Sequence, residues 1–285
     1  MQTVVIVGVG LIGGSFAAAL RQAGFQGRIL GVSSQKTLNQ ARRLGVIDEG
    51  ATLESAIPEA DLVYLSHSID RIIGQLTMLD SLVRPGALVT DAGSTKSEIV
   101  RAARKSIRRA VFLGGHPMAG SEKRGPAAAD PNLFRGKTYF LTPARPADLD
   151  PAAVRSFVGW LRRIGARPVV LSPREHDRLV ARTSHLPQIL STALAATLDS
   201  QMSAAAAREG SGSGLRDMVR LAESSWDLWK PILATNGAEI GRSLDLYIRN
   251  LRRVRQKMAN PDRLGPLFET AACFSKLLRK SAFAK

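Results

Sequence analysis

The chain of 285 residues contains a single cysteine, Cys273, which excludes an intrachain disulfide framework and any zinc site built on clustered cysteines. It has no apolar run of the roughly 18–20 residues that a membrane span requires. Its first residues, Met1-Gln2-Thr3-Val4-Val5-Ile6-Val7, lack the basic start and small-residue cleavage site of a signal peptide and read as a strand. A cytoplasmic protein in a reducing compartment, without membrane attachment, is the expectation. Aromatic residues are scarce at 5%, sparse for the stacking platforms on which single-stranded nucleic acids lie. Acidic residues are scarce too: 24 Asp and Glu against 40 Lys and Arg leave a net charge of +16. That surplus raises a nucleic-acid or acidic-membrane reading. It is, however, spread along the chain, with only short clusters such as Arg252, Arg253, Arg255 and Lys257. A protein that handles anionic small molecules accounts for it as well, and nucleic-acid binding is not favoured.

What the chain does have is apolar content, 45% by count at a mean hydropathy of −0.03. That suffices for sizeable cores, and the length suits two domains of roughly 100–200 residues each. Up to about residue 172, short β-branched runs at Thr3–Val7, Arg28–Val32, Leu62–Leu65, Ala87–Thr90, Val111–Leu113, Thr138–Leu141 and Arg167–Leu171 predict strands. Helical stretches at Leu11–Ala23, Gln35–Leu44, Asp70–Leu82, Lys96–Ser106 and Ala152–Ile164 lie between them. Continuous apolar strands alternating with helices imply a parallel sheet covered on both faces. After Ser172-Pro173 the strand signals stop and long helical patterns follow, around 174–207, 215–258 and 262–282. The expected architecture is an α/β, doubly wound domain over residues 1–172 followed by an all-helical domain over 173–285.

The first strand runs directly into Gly8-Val9-Gly10-Leu11-Ile12-Gly13, which opens a helix. The first glycine of such a fingerprint makes the strand-to-helix turn, the second lets the backbone approach a pyrophosphate, and the third allows close helix–strand packing. The helix N-terminus then offers N–H donors to the phosphates. A Rossmann-type dinucleotide site with Gly8, Gly10, Leu11, Ile12 and Gly13 is therefore expected, with Ser66 at the end of a later strand. An NAD site usually carries Asp or Glu roughly 20 residues further on, against the ribose hydroxyl. Here Ser33-Ser34-Gln35-Lys36 stand instead. Ser33, Ser34 and Lys36, with Arg42 or Arg43, suit a 2′-phosphate, so NADP is favoured, with NAD as the alternative. The competing reading of Ser34 is a helix cap.

Further chemistry-bearing segments sit at strand ends or helix starts. Thr90-Asp91-Ala92-Gly93-Ser94-Thr95-Lys96 closes a strand, and Gly114-Gly115-His116-Pro117-Met118-Ala119-Gly120-Ser121-Glu122-Lys123 closes the next. Glu175-His176-Asp177, Ser184-His185-Leu186-Pro187 and Gly214-Leu215-Arg216-Asp217 follow, with Trp226 and Trp229 beyond. In this order, from Val4 to about Asn236, the segments resemble the prephenate/arogenate dehydrogenase family of tyrosine biosynthesis. The resemblance implies a Rossmann domain followed by a helical domain that forms a homodimer. It also implies NAD(P)-dependent oxidative decarboxylation of prephenate to 4-hydroxyphenylpyruvate or of arogenate to tyrosine. By the same resemblance His116 is the catalytic base, Ser94 shares the substrate hydroxyl, and His185 and Arg216 bind the anionic substrate. Glu122 flanks the pocket. No metal is implied. Ser66-His67-Ser68, where the family often has a small residue and Pro, and Met218-Val219-Arg220 depart from the family pattern. His176 reads as a helix-start residue in a polar network, and the two tryptophans as packing. The alternatives are another Rossmann-plus-helical oxidoreductase, of the β-hydroxyacid dehydrogenase or imine reductase type, and a non-enzymatic NADP- or nucleic-acid-binding protein.

Overall fold

The computed structural model describes residues 1–121 and 123–283. Its centre is an eight-stranded sheet: β1 (Thr3–Val7), β2 (Arg28–Val32), β3 (Glu49–Gly50), β4 (Leu62–Leu65), β5 (Leu88–Asp91), β6 (Val111–Pro117), β7 (Thr138–Thr142) and β8 (Arg167–Val170). The order is β3-β2-β1-β4-β5-β6-β7-β8, whose first six strands have the doubly wound nucleotide-binding arrangement. Val4 to Val7 and Leu62 to Leu65 are essentially inaccessible, as strands covered on both faces must be. The covering helices are α1 (Leu11–Gln22), α2 (Gln35–Arg43), the single turn α3 (Leu53–Ala56), α4 (Ile69–Leu82), α5 (Ser97–Ser106) and α6 (Ala152–Arg163). On α1, Phe16 stacks on Tyr64 of β4, ring centroids 4.1 Å apart, at the middle of the apolar core.

The sheet is not wholly parallel. β7 runs antiparallel to β6, pairing His116 with Phe140. Between Pro117 and Thr138 the described chain contains only the 3₁₀ turn Pro126–Ala128. There is no crossover helix, so the chain returns beside the strand it left. β8 then pairs parallel to β7 after α6.

No strand follows Val170 among the described residues. α7 (Pro173–Val180) leads through the π-turn Ala181–His185 into α8 (Leu186–Asp199). Next come α9 (Ala204–Gly210), α10 (Ser213–Val219), the long α11 (Trp226–Lys257) and α12 (Gly265–Phe283). By compactness the chain divides into Met1–Gly237 and Ala238–Lys285. No helix is long and apolar enough to cross a membrane among the described residues.

Candidate active site

The carboxyl ends of β1, β4, β5 and β6 carry the groups of interest. At β1, Gly8 turns the chain at φ +98°, a conformation that disfavours any side chain. A Cβ on Gly13 would fall 2.3 Å from the Gly8 carbonyl oxygen and 2.4 Å from Ser66 Oγ, so α1 packs as close to the strand as a glycine permits. Ser66 Oγ donates to that same carbonyl at 2.7 Å and thereby braces the turn. Gly10, the residue before α1, has open space where a Cβ would stand. The helix start carries no side-chain cap, so no capping side chain takes up its first-turn N–H groups at Leu11, Ile12 and Gly13. This cradle fits a pyrophosphate.

At the end of β2, Ser34 Oγ caps α2 by accepting from Thr37 N at 3.4 Å. Ser33 is half-buried and Lys36 exposed, and no carboxylate stands among residues 33–36. The imidazole of His67 lies against the Gly8 turn. Burial, reinforced by the Arg71 cation, lowers its pKa.

His116 occupies the end of β6 and is 9% exposed. Its Nδ1 lies 2.8 Å from His176 Nε2, and His176 Nδ1 lies 2.9 Å from Asp177 Oδ1. The α7 capping box holds His176 and Asp177 in place. Ser172 Oγ accepts from Glu175 N, and the Glu175 carboxylate accepts from Ser172 N at 3.0 Å, with Pro173 opening the first turn, so the helix start is rigidly set. The Asp177 carboxylate also accepts from Lys96 N at 2.7 Å and Ser97 N at 2.8 Å, which satisfies the first N–H groups of α5. Burial works against the charge on Asp177, but the bonds from His176, Ser97 and Lys96 prevail and hold its carboxyl below the ordinary range.

Beneath the histidines lies a second buried network. The Lys96 ammonium bonds Asp91 and donates to Gly115 O at 2.8 Å. Both partners of the Lys96–Asp91 ion pair are fully buried. Asp91 in turn accepts from Gly93 N at 2.8 Å and Gly115 N at 3.1 Å. The strand-end segment that presents His116 is thus anchored on both sides of Gly115. Burial, then the neighbouring His176, Lys96 and His185, push His116 well below the ordinary imidazole range, so it is neutral at physiological pH. Burial lowers His176 as well, against the pull of Asp177.

His185 ends the π-turn, a feature that recurs at functional sites, and is 1% exposed. Burial lowers its pKa to about 4. Asn236 Nδ2 donates to Asp177 O at 2.9 Å and meets His185 Nδ1 at 3.2 Å. The carbonyl fixes that amide atom as the donor nitrogen, so His185 Nδ1 accepts and its Nε2 carries the proton. Trp229 packs edge-on against His185, centroids 5.6 Å apart, and its buried Nε1–H has no hydrogen-bond partner. Two N–H donors, His185 Nε2 and Trp229 Nε1, thus have no acceptor among the described residues.

The structure gathers His116 and His185 around Asp177. Ser94 is half-buried, two residues before Lys96. Arg216, on α10, is exposed, and its guanidinium donates only to Ser211 O at 3.3 Å. No ion pair joins it to Asp217 or Glu223 among the described residues. Glu122 lies outside the described residues. His176, Asp177, Lys96, Asp91 and Trp229 were not expected to take part in the site. The adjacent Glu175-His176-Asp177 behind a Ser-Pro helix start was the one available signal.

The family model for the prephenate dehydrogenase nucleotide-binding domain matches residues 16–176, and that for the prephenate dehydrogenase dimerization domain matches residues 172–270. The chain is 36% identical to the prephenate dehydrogenase of Bacillus subtilis (strain 168), over 92% of this chain and 71% of that protein. Its fold is similar to that of Aquifex aeolicus prephenate dehydrogenase crystallised with hydroxyphenyl propionate and NAD+, with TM-score 0.88, 30% identity and 98% of each chain covered. It is also similar to Synechocystis arogenate dehydrogenase, with TM-score 0.81, 29% identity, and 98% and 99% of the two chains covered.

Proposed function

The chain belongs to the prephenate dehydrogenase family, and on that premise we propose how its own residues carry out the reaction. The protein is a pyridine-nucleotide-dependent dehydrogenase that oxidatively decarboxylates prephenate or arogenate. The observation that carries the assignment of roles is His116: a neutral, buried imidazole at the sheet edge where nucleotide-binding α/β folds place their ligands. Gly8, Gly10, Leu11, Ile12, Gly13 and Ser66 form the dinucleotide cradle. When bound, the oxidised nicotinamide accepts the hydride that leaves the ring carbon bearing the substrate hydroxyl. As that carbon is oxidised, the hydroxyl gives its proton to His116, the role for which a neutral imidazole is suited. The C–C bond to the departing carboxyl breaks, its electrons aromatise the ring, and the phenol oxygen recovers a proton.

Ser94 shares the reacting hydroxyl. The N–H donors of His185 and Trp229 supply hydrogen bonds to the side-chain carboxylate and, in prephenate, to its neighbouring keto oxygen. Arg216, which makes no ion pair among the described residues, supplies the planar fork that a carboxylate accepts. For the cofactor, Ser33 and Lys36 favour NADP, since Ser34 already caps α2 and no acid stands where it would repel a 2′-phosphate. Residues 172–270 match the family's dimerisation domain, and a homodimer is the assembly.

The test is reduction of NADP+ or NAD+, followed by absorbance, on adding prephenate or arogenate to the purified protein, with a phenolic product. A folded protein that reduces neither dinucleotide with either substrate overturns the reading. The ratio of turnover on the two substrates assigns the preference.

A further inference from the structure

We propose that His176 and Asp177 are positioning residues that hold His116 in its Nδ1–H tautomer and leave Nε2 as the atom that takes the substrate proton. The inference rests on His116 being the base. The direction of each bond follows from what each group can do. An ionised carboxylate only accepts, so across the 2.9 Å contact His176 Nδ1 must donate to Asp177 Oδ1. A neutral imidazole carries one N–H, so His176 Nε2 is then an acceptor. The 2.8 Å contact between the two rings needs one proton, and only His116 Nδ1 can provide it. His116 Nε2 is left as a lone pair. In water the other tautomer of a free histidine is the commoner one, so the chain from Asp177 inverts the local preference.

The surroundings of His116 show why the arrangement is charged as it is. Among the described residues, His176, Lys96 and His185 act on His116, while Asp177 of α7, Asp91 at the end of β5 and Lys96 act on His176. Lys96 and Asp91 cancel each other as a buried ion pair. The histidines are neutral, so among the described residues the cluster at rest carries the negative charge of Asp177, held by the N–H groups of Lys96 and Ser97. Proton uptake at His116 brings the cluster to neutrality. That favours the charge distribution formed as the substrate hydroxyl is deprotonated, with dipoles already oriented. No proton needs to move beyond His116; His176 keeps its Nδ1–H throughout, and Asp177 remains ionised.

Nitrogen-resolved NMR of the histidine rings tests this directly. The chain has four histidines, and single substitutions assign them. In the wild type His116 is expected with Nδ1 protonated and Nε2 bare at neutral pH; a proton on Nε2 overturns the proposal. In Asp177→Asn the amide can present an N–H to His176 Nδ1, which reverses both rings and blocks Nε2 of His116. Turnover should fall by about 10²–10⁴-fold, with KM and dinucleotide affinity nearly unchanged and the His116 tautomer inverted. His176→Asn leaves the bonds from Asp177 to α5 intact and should lose turnover to a similar extent. A folded His176→Asn variant with wild-type turnover overturns the proposal even if Asp177→Asn does not fold. The tautomer is read without substrate, so its failure is distinct from failure of the dehydrogenase assignment, which the wild-type assay alone decides.

Discussion

Lys96→Met removes one half of the fully buried Lys96–Asp91 pair and keeps most of the side-chain volume. Breaking a buried pair from one side costs about 3–5 kcal/mol, because the remaining charge is left without compensation. Asp91 retains the N–H groups of Gly93 and Gly115, which places its share near the lower end, about 3 kcal/mol. Gly115 O also loses its donor, which adds about 1 kcal/mol. The expected total of about 4 kcal/mol corresponds to a fall in Tm of roughly 8–16 °C for a chain near this size. Thermal unfolding followed by circular dichroism reads it, at fixed protein concentration and without ligand. A second variant, Asp91→Asn combined with Lys96→Met, removes the orphaned carboxylate and should recover part of the loss, since the two sites share one network. If Lys96→Met melted within about 2 °C of wild type, the buried pair would not be holding the sheet edge and the reasoning would fail. Turnover should fall along with stability, because Gly115 precedes His116 and takes one bond from each partner.

Lys36→Ala should weaken NADP+ binding several-fold while leaving NAD+ nearly unchanged, measured by titration calorimetry; equal losses would show that Lys36 does not read the 2′-phosphate. His185, whose pKa is lowered to about 4 in the fold, binds its proton more readily in the unfolded chain. Stability must therefore fall as pH drops from about 6.5 toward 4, by about 2 kcal/mol from this group at pH 5. The stability gap between wild type and His185→Asn should narrow by that amount between pH 7 and pH 5, and an unchanged gap would refute the burial argument. On α12, Leu267, Phe268, Phe274 and Leu277 are all exposed, a concentration of apolar side chains of the kind that marks interaction surfaces. Replacing Phe268 and Phe274 by Glu should convert the proposed homodimer to monomer in light scattering, whereas a dimer that persists would place its interface elsewhere.

The order of strands and helices up to Val170 was readable because buried parallel strands are near-continuous apolar runs and their boundaries carry turn residues. Three features were not, the first being α3, a single turn at Leu53–Ala56. β3 is two residues long, Glu49–Gly50, too short to show any period. The antiparallel direction of β7 depends on what is missing between Pro117 and Thr138, a crossover helix, whereas β7 itself reads like any other strand. In the second half, the patterns at 174–207 and 215–258 each looked like one long helix. The breaks at Ala181–His185, Asp199 and Val219 are settled by packing, since neither alanine-rich nor leucine-rich stretches mark their own ends.

The candidate site divides along the same line. His116 was legible because its neighbours in sequence, Gly114, Gly115 and Pro117, mark a strand end. His176 was not, because the contact that matters spans 60 residues and exists only once α7 docks against the ends of β5 and β6. Lys96 stood inside the chemistry-bearing segment Thr90–Lys96, but nothing in that segment marked it as a fully buried partner of Asp91. What connects these groups is Asp177. One carboxylate satisfies the first N–H groups of α5, aligns His176, and provides the negative charge that a protonated His116 would offset. In a chain with a net charge of +16, the resting cluster around the base is nonetheless negative. A basic surplus of this size would draw anionic ligands at longer range, while the proposed chemistry rests on one buried acid set against it. Substitutions of Asp177 should cost more stability than those of His176, because only Asp177 also caps α5, and that difference separates the helix-capping role of the carboxylate from its alignment of the base.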